Sequence, residues 1–109
     1  MPHIRISNLD KEKAIKFSKD LAHIVSTISE TPTEYIKVFH TNYNCILNYG
    51  FKETSFPIID IYWMPRKQEI CDNVARFITD YFKTHGYSFV QITFTEFSGN
   101  LFFENGQHY

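Results

Sequence analysis

The chain has 109 residues with 11 Lys and Arg against 12 Asp and Glu, a formal net charge of −1, so charge makes no case for nucleic acid or an anionic membrane as a partner. Its hydrophobic content of 43% and charged content of 21% fit a soluble globular protein, and 17% aromatic residues supply large side chains for a small core. No apolar run reaches the roughly 18–20 residues of a membrane span and no signal peptide is evident, so a single domain over 1–109 in the cytoplasm is expected.

Residues 2–7 alternate, Ile4 and Ile6 pointing one way and His3 and Arg5 the other, which predicts a strand. "SNLD" follows, and Ser7, Asn8 and Asp10 can each cap a helix. From Asp10 to Ser29 the residues Ala14, Phe17, Leu21, Ile24, Val25 and Ile28 recur at spacings of three and four, the pattern of an amphipathic helix that Pro32 stops. "EYIKVFH" (34–40) alternates again as a strand. A short strand is predicted around Ile46–Tyr49, then a turn at Gly50 and a polar loop. "PIIDIYW" (57–63) reads as a central strand, with Pro57 at its first position where no ladder donor is lost. A second helix follows, with Pro65 in its first turn, Ile70, Val74, Phe77, Ile78 and Tyr81 on one face, and Gly86 at its C-terminal cap. "SFVQITFTEF" (88–97) is a last long strand that Gly99 breaks. "LFF" adds a short edge strand, and "ENGQHY" is a polar tail with an Asn-Gly turn.

Cys45 and Cys71 lack CxxC spacing and read as free thiols in a reducing compartment. His3, His23, His40, His85 and His108 are scattered without HxH or HExxH pairs, so no metal or other cofactor is expected.

An internal repeat organises these elements. Pro2-His3-Ile4-Arg5-Ile6 matches Pro57-Ile58-Ile59-Asp60-Ile61 as Pro-x-Ile-x-Ile, and Tyr35-Ile36-Lys37-Val38 matches Phe89-Val90-Gln91-Ile92. Two β-α-β units result, pseudo-repeats of about 1–50 and 56–109. The expected fold class is α+β: a four-stranded mixed sheet with two helices on one face. Ile4, Ile6, Ile36, Val38, Ile59, Ile61, Val90, Ile92 and Phe94 would pack beneath the helices. The other face, with His3, Arg5, Tyr35, Lys37, Phe39, Ile58, Asp60, Tyr62, Phe89, Gln91, Thr93 and Thr95, is too aromatic for a plain solvated face, and another subunit is expected to cover it. Arg5 and Asp60 hold equivalent positions and could pair.

The duplicated units, the early proline-led strand, "TPTEYIKV" and "VQITFTEF" together resemble the tautomerase superfamily, which includes macrophage migration inhibitory factor and the oxalocrotonate tautomerases. "YWMPRKQE" and the terminal "ENGQHY" look closest to a small bacterial family within it. The resemblance implies a homotrimer, a small carboxylate or keto-acid substrate, and a prolyl amine, freed when the initiator methionine leaves, that moves a proton alpha to a carbonyl. By resemblance Pro2 is the base and Arg66 the carboxylate or enolate ligand. Trp63 walls the pocket, Gln68 donates from the start of the second helix, and Gln91 enters from a neighbouring subunit. A chain amine ordinarily titrates near 8, and burial or a nearby cation would lower it toward neutral pH.

The chain also departs from that pattern. Thr31 stands where migration inhibitory factor has its pocket lysine, and Gln91 and Thr93 stand where it has tyrosine and asparagine, so the phenylpyruvate-type activity of that relative stands in question. Lys11, early in the first helix, is read as a solvated cation. Two other functions are compatible with the sequence. One is a non-catalytic trimeric binding or scaffold module, in which Pro2, like Pro57, merely starts a strand. The other is a hydratase-, dehalogenase- or decarboxylase-type reaction that uses Pro2 protonated.

Overall fold

Alternating burial sets the sheet. In the computed structural model, which describes residues 2–109, β1 (His3–Ser7) buries Ile4 and Ile6 completely while Arg5 between them is exposed. Asp10 then caps α1 (Lys11–Ser29), its carboxylate accepting the Lys13 N–H at 2.9 Å. Ala14, Phe17, Leu21 and Val25 form the buried stripe of α1. The helix ends on Glu30, which adopts the left-handed conformation at φ 55°. Pro32 leads into a single 3-10 turn, Thr33–Tyr35, so β2 begins later than the alternation predicted and runs Lys37–Thr41.

β3 (Ile58–Trp63) alternates as expected, with Ile59, Ile61 and Trp63 fully buried. Helix α2 (Gln68–Thr84) starts after Lys67, which leaves Pro65 in the connecting turn rather than in the first helical turn. Its buried face is Cys71, Val74, Ile78 and Phe82. Phe77, expected on that face, is 51% exposed, and Phe82 fills the core instead. At the helix end Gly86 (φ 93°) donates to the Lys83 carbonyl and Tyr87 to the Phe82 carbonyl, a Schellman cap that needs the left-handed residue. β4 is Gln91–Glu96, shorter than the expected 88–97. Phe89 does not join the open sheet face either. It stacks on Phe51 and meets Phe56 edge-on, each at 4.7 Å.

The sheet order is β2-β1-β3-β4, with β1 parallel to β2, β3 parallel to β4 and the central pair antiparallel. The repeat is visible in the hydrogen bonds that open each parallel ladder. The Lys37 N–H donates to the Pro2 carbonyl at 3.2 Å, and the Gln91 N–H donates to the Pro57 carbonyl at 3.0 Å. Both helices pack on one face, over a core of Ile4, Ile6, Phe17, Leu21, Ile59, Ile61, Trp63 and Phe82, and the edge-strand residues Ile36, Val38, Val90, Ile92 and Phe94 are partly buried beside it. Between the helices the Tyr81 hydroxyl donates to the Asp20 carboxylate at 2.6 Å, and burial raises the Tyr81 phenol above its ordinary range.

Residues 42–57 form no strand. Ile46 is 91% and Tyr49 86% exposed, so the strand expected at Ile46–Tyr49 has no ladder partner in the protomer. This long connection is held by Asn8, which is buried with φ 66°. Its Nδ2 donates to the carbonyls of Thr54 and Phe56, and its Oδ1 accepts the Cys45 N–H at 2.7 Å.

The C-terminal segment returns over the open sheet face. Asn105 and Gly106, both at positive φ, turn a hairpin between β5 (Phe103–Glu104) and β6 (Gln107–His108). Phe102 packs edge-on against His3, and Lys37 pairs with Glu104 at 3.6 Å. The chain therefore covers the His3 corner of this face itself while Phe39 (41%) stays exposed, and Tyr35 (54%), expected on this face, lies instead in the 3-10 turn before β2. Gly99 permits the return, since a Cβ there would lie 3.1 Å from Met64 Sδ and 3.3 Å from the Tyr109 carbonyl oxygen. Arg5 faces Asp60 in register, yet its guanidinium lies 4.2 Å over the Tyr62 ring, and Lys37–Glu104 is the one ion pair among the described residues.

Candidate functional site

Pro2 sits at the head of β1 and its ring is fully buried. His3 pairs with Tyr62 across the antiparallel ladder, so one further step brings Pro2 alongside Trp63 at the same end of the sheet. Both side chains fall on the helix-covered face, because directly opposed residues share a face. Met1, whose departure the prolyl-amine reading requires, lies outside the described residues.

Trp63 closes β3. Its carbonyl accepts the Phe97 N–H at 3.0 Å, and its ring stacks on Phe94 with centroids 5.1 Å apart. The indole is 0% exposed, so Trp63 belongs to the core, yet its Nε1–H has no hydrogen-bond partner among the described residues. The chain then turns through Met64 and Pro65, and the Arg66 N–H donates to a Glu96 carboxylate oxygen at 3.2 Å. The Arg66 side chain folds back. Nη1 donates to the Met64 carbonyl at 2.7 Å, and the guanidinium carbon lies 5.0 Å from the Trp63 ring centroid. Only one of the two terminal nitrogens is used in this way, and no carboxylate pairs with the guanidinium among the described residues. An Arg fork in this state matches an incoming carboxylate.

The other predicted residues do not join this group. Gln68 is exposed on the first turn of α2, and its amide donates to Asp72 at 2.9 Å. Gln91 opens β4, whereas Glu96 pairs with Trp63, so Gln91 lies five residues, roughly 17 Å, from that end within the protomer. Cys71 is buried nearby, and burial, then the Glu96 and Asp72 carboxylates, push its thiol up. That makes it a poor nucleophile.

On the opposite face of β1, His3 lies edge-on between Phe39 (5.3 Å) and Phe102 (5.5 Å), and its buried Nε2 has no partner among the described residues. Burial first, then Lys37 and Arg5, hold the imidazole below its usual value against the pull of Glu104. The sequence placed His3 on this face but gave no sign that Phe102 would enclose it. Glu96 was missed as well. The repeat offered one clue: β4 parallel to β3 had to bring one end of "ITFTE" beside Trp63. Among the described residues no cluster of three or more His, Cys, Asp or Glu is placed to hold a metal, and no helix is long and apolar enough to cross a membrane. A separate cavity of about 720 Å³, lined by Asn8, Lys11, His40, Asn44, Cys45 and Thr54 among others, opens at the far end of β1. Lys11 therefore belongs to the end away from Pro2.

A family model described as Domain of unknown function (DUF1904) matches residues 1–108. A crystal structure of a DUF1904 domain from Sebaldella termitidis is 28% identical, covers 100% of both chains and superposes with a TM-score of 0.84. A macrophage migration inhibitory factor-like protein from Entamoeba histolytica is 16% identical over 99% of this chain and 98% of its own, with a TM-score of 0.78. A member of the cis-3-chloroacrylic acid dehalogenase family is 15% identical over 97% of this chain and 82% of its own, with a TM-score of 0.77. The fold is that of the tautomerase superfamily. No curated protein matches the sequence.

Proposed function

The chain belongs to the DUF1904 family, built on the tautomerase fold, and we propose that it is a tautomerase-like isomerase of small keto acids whose base is the amine of Pro2. The observation that carries this reading is the convergence of Pro2, Trp63 and an Arg66 fork without a carboxylate partner at one end of the sheet. With Met1 removed, Pro2 becomes a secondary amine. Its apolar surroundings penalise the charged form and keep it neutral as a base. The amine takes a proton from the carbon alpha to the substrate carbonyl, the electron pair moves into the carbonyl to give an enolate, and the proton is returned at a second position. Arg66 binds the substrate carboxylate. No cofactor enters this chemistry. The exposed aromatics Phe39, on the open sheet face, and Tyr35, in the turn before β2, support burial against further copies of the chain, in a homotrimer. Gln91, too far from Pro2 in one protomer, would reach the site from a neighbour, and Gln68 would turn from Asp72 toward the substrate. The domain boundaries proposed are 1–109, in the cytoplasm.

The test is proton exchange in deuterated water. Untagged protein is expected to remove the C3 proton signals of 2-oxobutanoate, and Pro2→Ala to slow this by about 10²–10⁴-fold. No exchange by protein shown to begin at Pro2 overturns the reading.

The fold shared with a cis-3-chloroacrylic acid dehalogenase family member favours a second reading. There Pro2 stays protonated as an acid and Arg66 grips an unsaturated carboxylate. A Pro2 amine titrating above 8 would select it.

A further inference from the structure

We propose that the Trp63 indole N–H is a substrate-binding donor, taking the keto oxygen of a 2-oxo carboxylate whose carboxylate is held by Arg66. This rests on the carboxylate-binding reading of Arg66 above. Trp63 is the single tryptophan of the chain and is 0% exposed. Buried polar side-chain atoms are paired in the great majority of cases, yet this donor has no partner among the described residues. The stack on Phe94 uses the ring face and leaves the donor unpaired.

The unpaired donor belongs to the same ring on which the cation expected to bind substrate rests, 5.0 Å from the centroid. The half-buried Arg66 guanidinium covers the Trp63 ring and is held by carbonyls of its own turn, Met64 and Pro65. It can therefore swing off the indole ring to a carboxylate without breaking an ion pair. A ligand that engages both groups needs a carboxylate and a second acceptor near it, which a 2-oxo acid supplies. Deprotonation at C3 places negative charge on that keto oxygen, where a fixed donor in a dry site binds the enolate more strongly than the ketone. A saturated or halogenated carboxylate has no such oxygen, so the indole would select for the keto group.

The test uses the full-length ¹⁵N-labelled protein, whose single tryptophan gives one indole cross-peak. 2-Oxobutanoate is expected to move the indole proton downfield, and butanoate to bind without that shift. Trp63→Phe should weaken 2-oxobutanoate binding by about tenfold, to the level of butanoate. Binding of both acids with no indole shift, or with equal shifts, overturns the donor assignment and leaves the Arg66 reading standing. Binding of neither acid overturns both. The cross-peak is read on the unsubstituted chain, so the test stands even if Trp63→Phe fails to fold.

Discussion

The Arg66 guanidinium carbon lies 5.0 Å from the centroid of the Trp63 ring, a surface cation resting on a buried indole at the end of β3. Such a contact at a partly exposed site contributes about 0.5–1 kcal/mol, and the Arg66 side-chain hydrogen bonds among the described residues run to carbonyls of its own turn. Arg66→Ala should therefore cost at most about 1 kcal/mol in urea unfolding. The same change should weaken butanoate binding by about tenfold or more in calorimetry. Arg66→Lys keeps the charge without the fork and should fall between the two. A variant that binds butanoate normally would remove Arg66 from the site.

Asn8 ties the end of β1 to the long connection after β2 through three side-chain hydrogen bonds, from a backbone at φ 66°. Each bond contributes about 1 kcal/mol, and a non-glycine residue without a polar side chain is strained at that φ. Asn8→Ala should lower unfolding stability by about 3 kcal/mol. Asn8→Gly should lose the hydrogen bonds but relieve the backbone term, and so cost less. Equal losses in the two variants would show that the backbone conformation contributes nothing.

Glu30 ends α1 at φ 55°, in the position glycine favours at helix ends. Glu30→Gly is expected to stabilise the chain by about 0.5–1 kcal/mol, since its left-handed conformation costs glycine little. A lower melting temperature for the variant would contradict the cap assignment.

His3 predicts an acid sensitivity. Its folded-state value lies below the ordinary 6.5, because burial and the cations Lys37 and Arg5 disfavour the imidazolium. As pH falls, the unfolded chain binds this proton first, so the contribution of His3 to stability is full above 6.5 and is lost as pH falls through the folded value. Glu104, held below its ordinary 4.5 chiefly by the Tyr109 hydroxyl, loses its contribution only at lower pH, so the two windows separate. Urea unfolding between about pH 7.5 and 5 should show the decline in the native chain and a shallower one in His3→Phe. Identical slopes would place His3 in solvent.

The two β-α-β units were legible because Pro-x-Ile-x-Ile recurs and the helix stripes have clean spacing. The paired bonds from Lys37 to Pro2 and from Gln91 to Pro57 are the structural form of that repeat. What was not legible depends on contacts distant in sequence. Phe77 and Phe82 both fit a helical stripe, and the meeting of α2 with Phe17 buries Phe82. Ile46–Tyr49 has strand residues but no neighbouring strand to pair with in the protomer. The Asn-Gly turn was readable in "ENGQHY", but not that its hairpin would return to His3 and Lys37. At the candidate site, Trp63 and Arg66 were named from the sequence. The back-folding of Arg66 onto its own turn and its backbone bond to Glu96 depend on β4 ending beside β3.

The central claim concerns the nitrogen of Pro2. Untagged protein produced in its own host, checked by intact mass and then titrated through its ¹⁵N-proline signal, tests it directly. The expected result is a chain that begins at Pro2 and an amine that titrates well below the ordinary value of about 8. A chain that retains Met1 throughout would contradict it, because the Pro2 nitrogen would then be an amide with no proton to take or give.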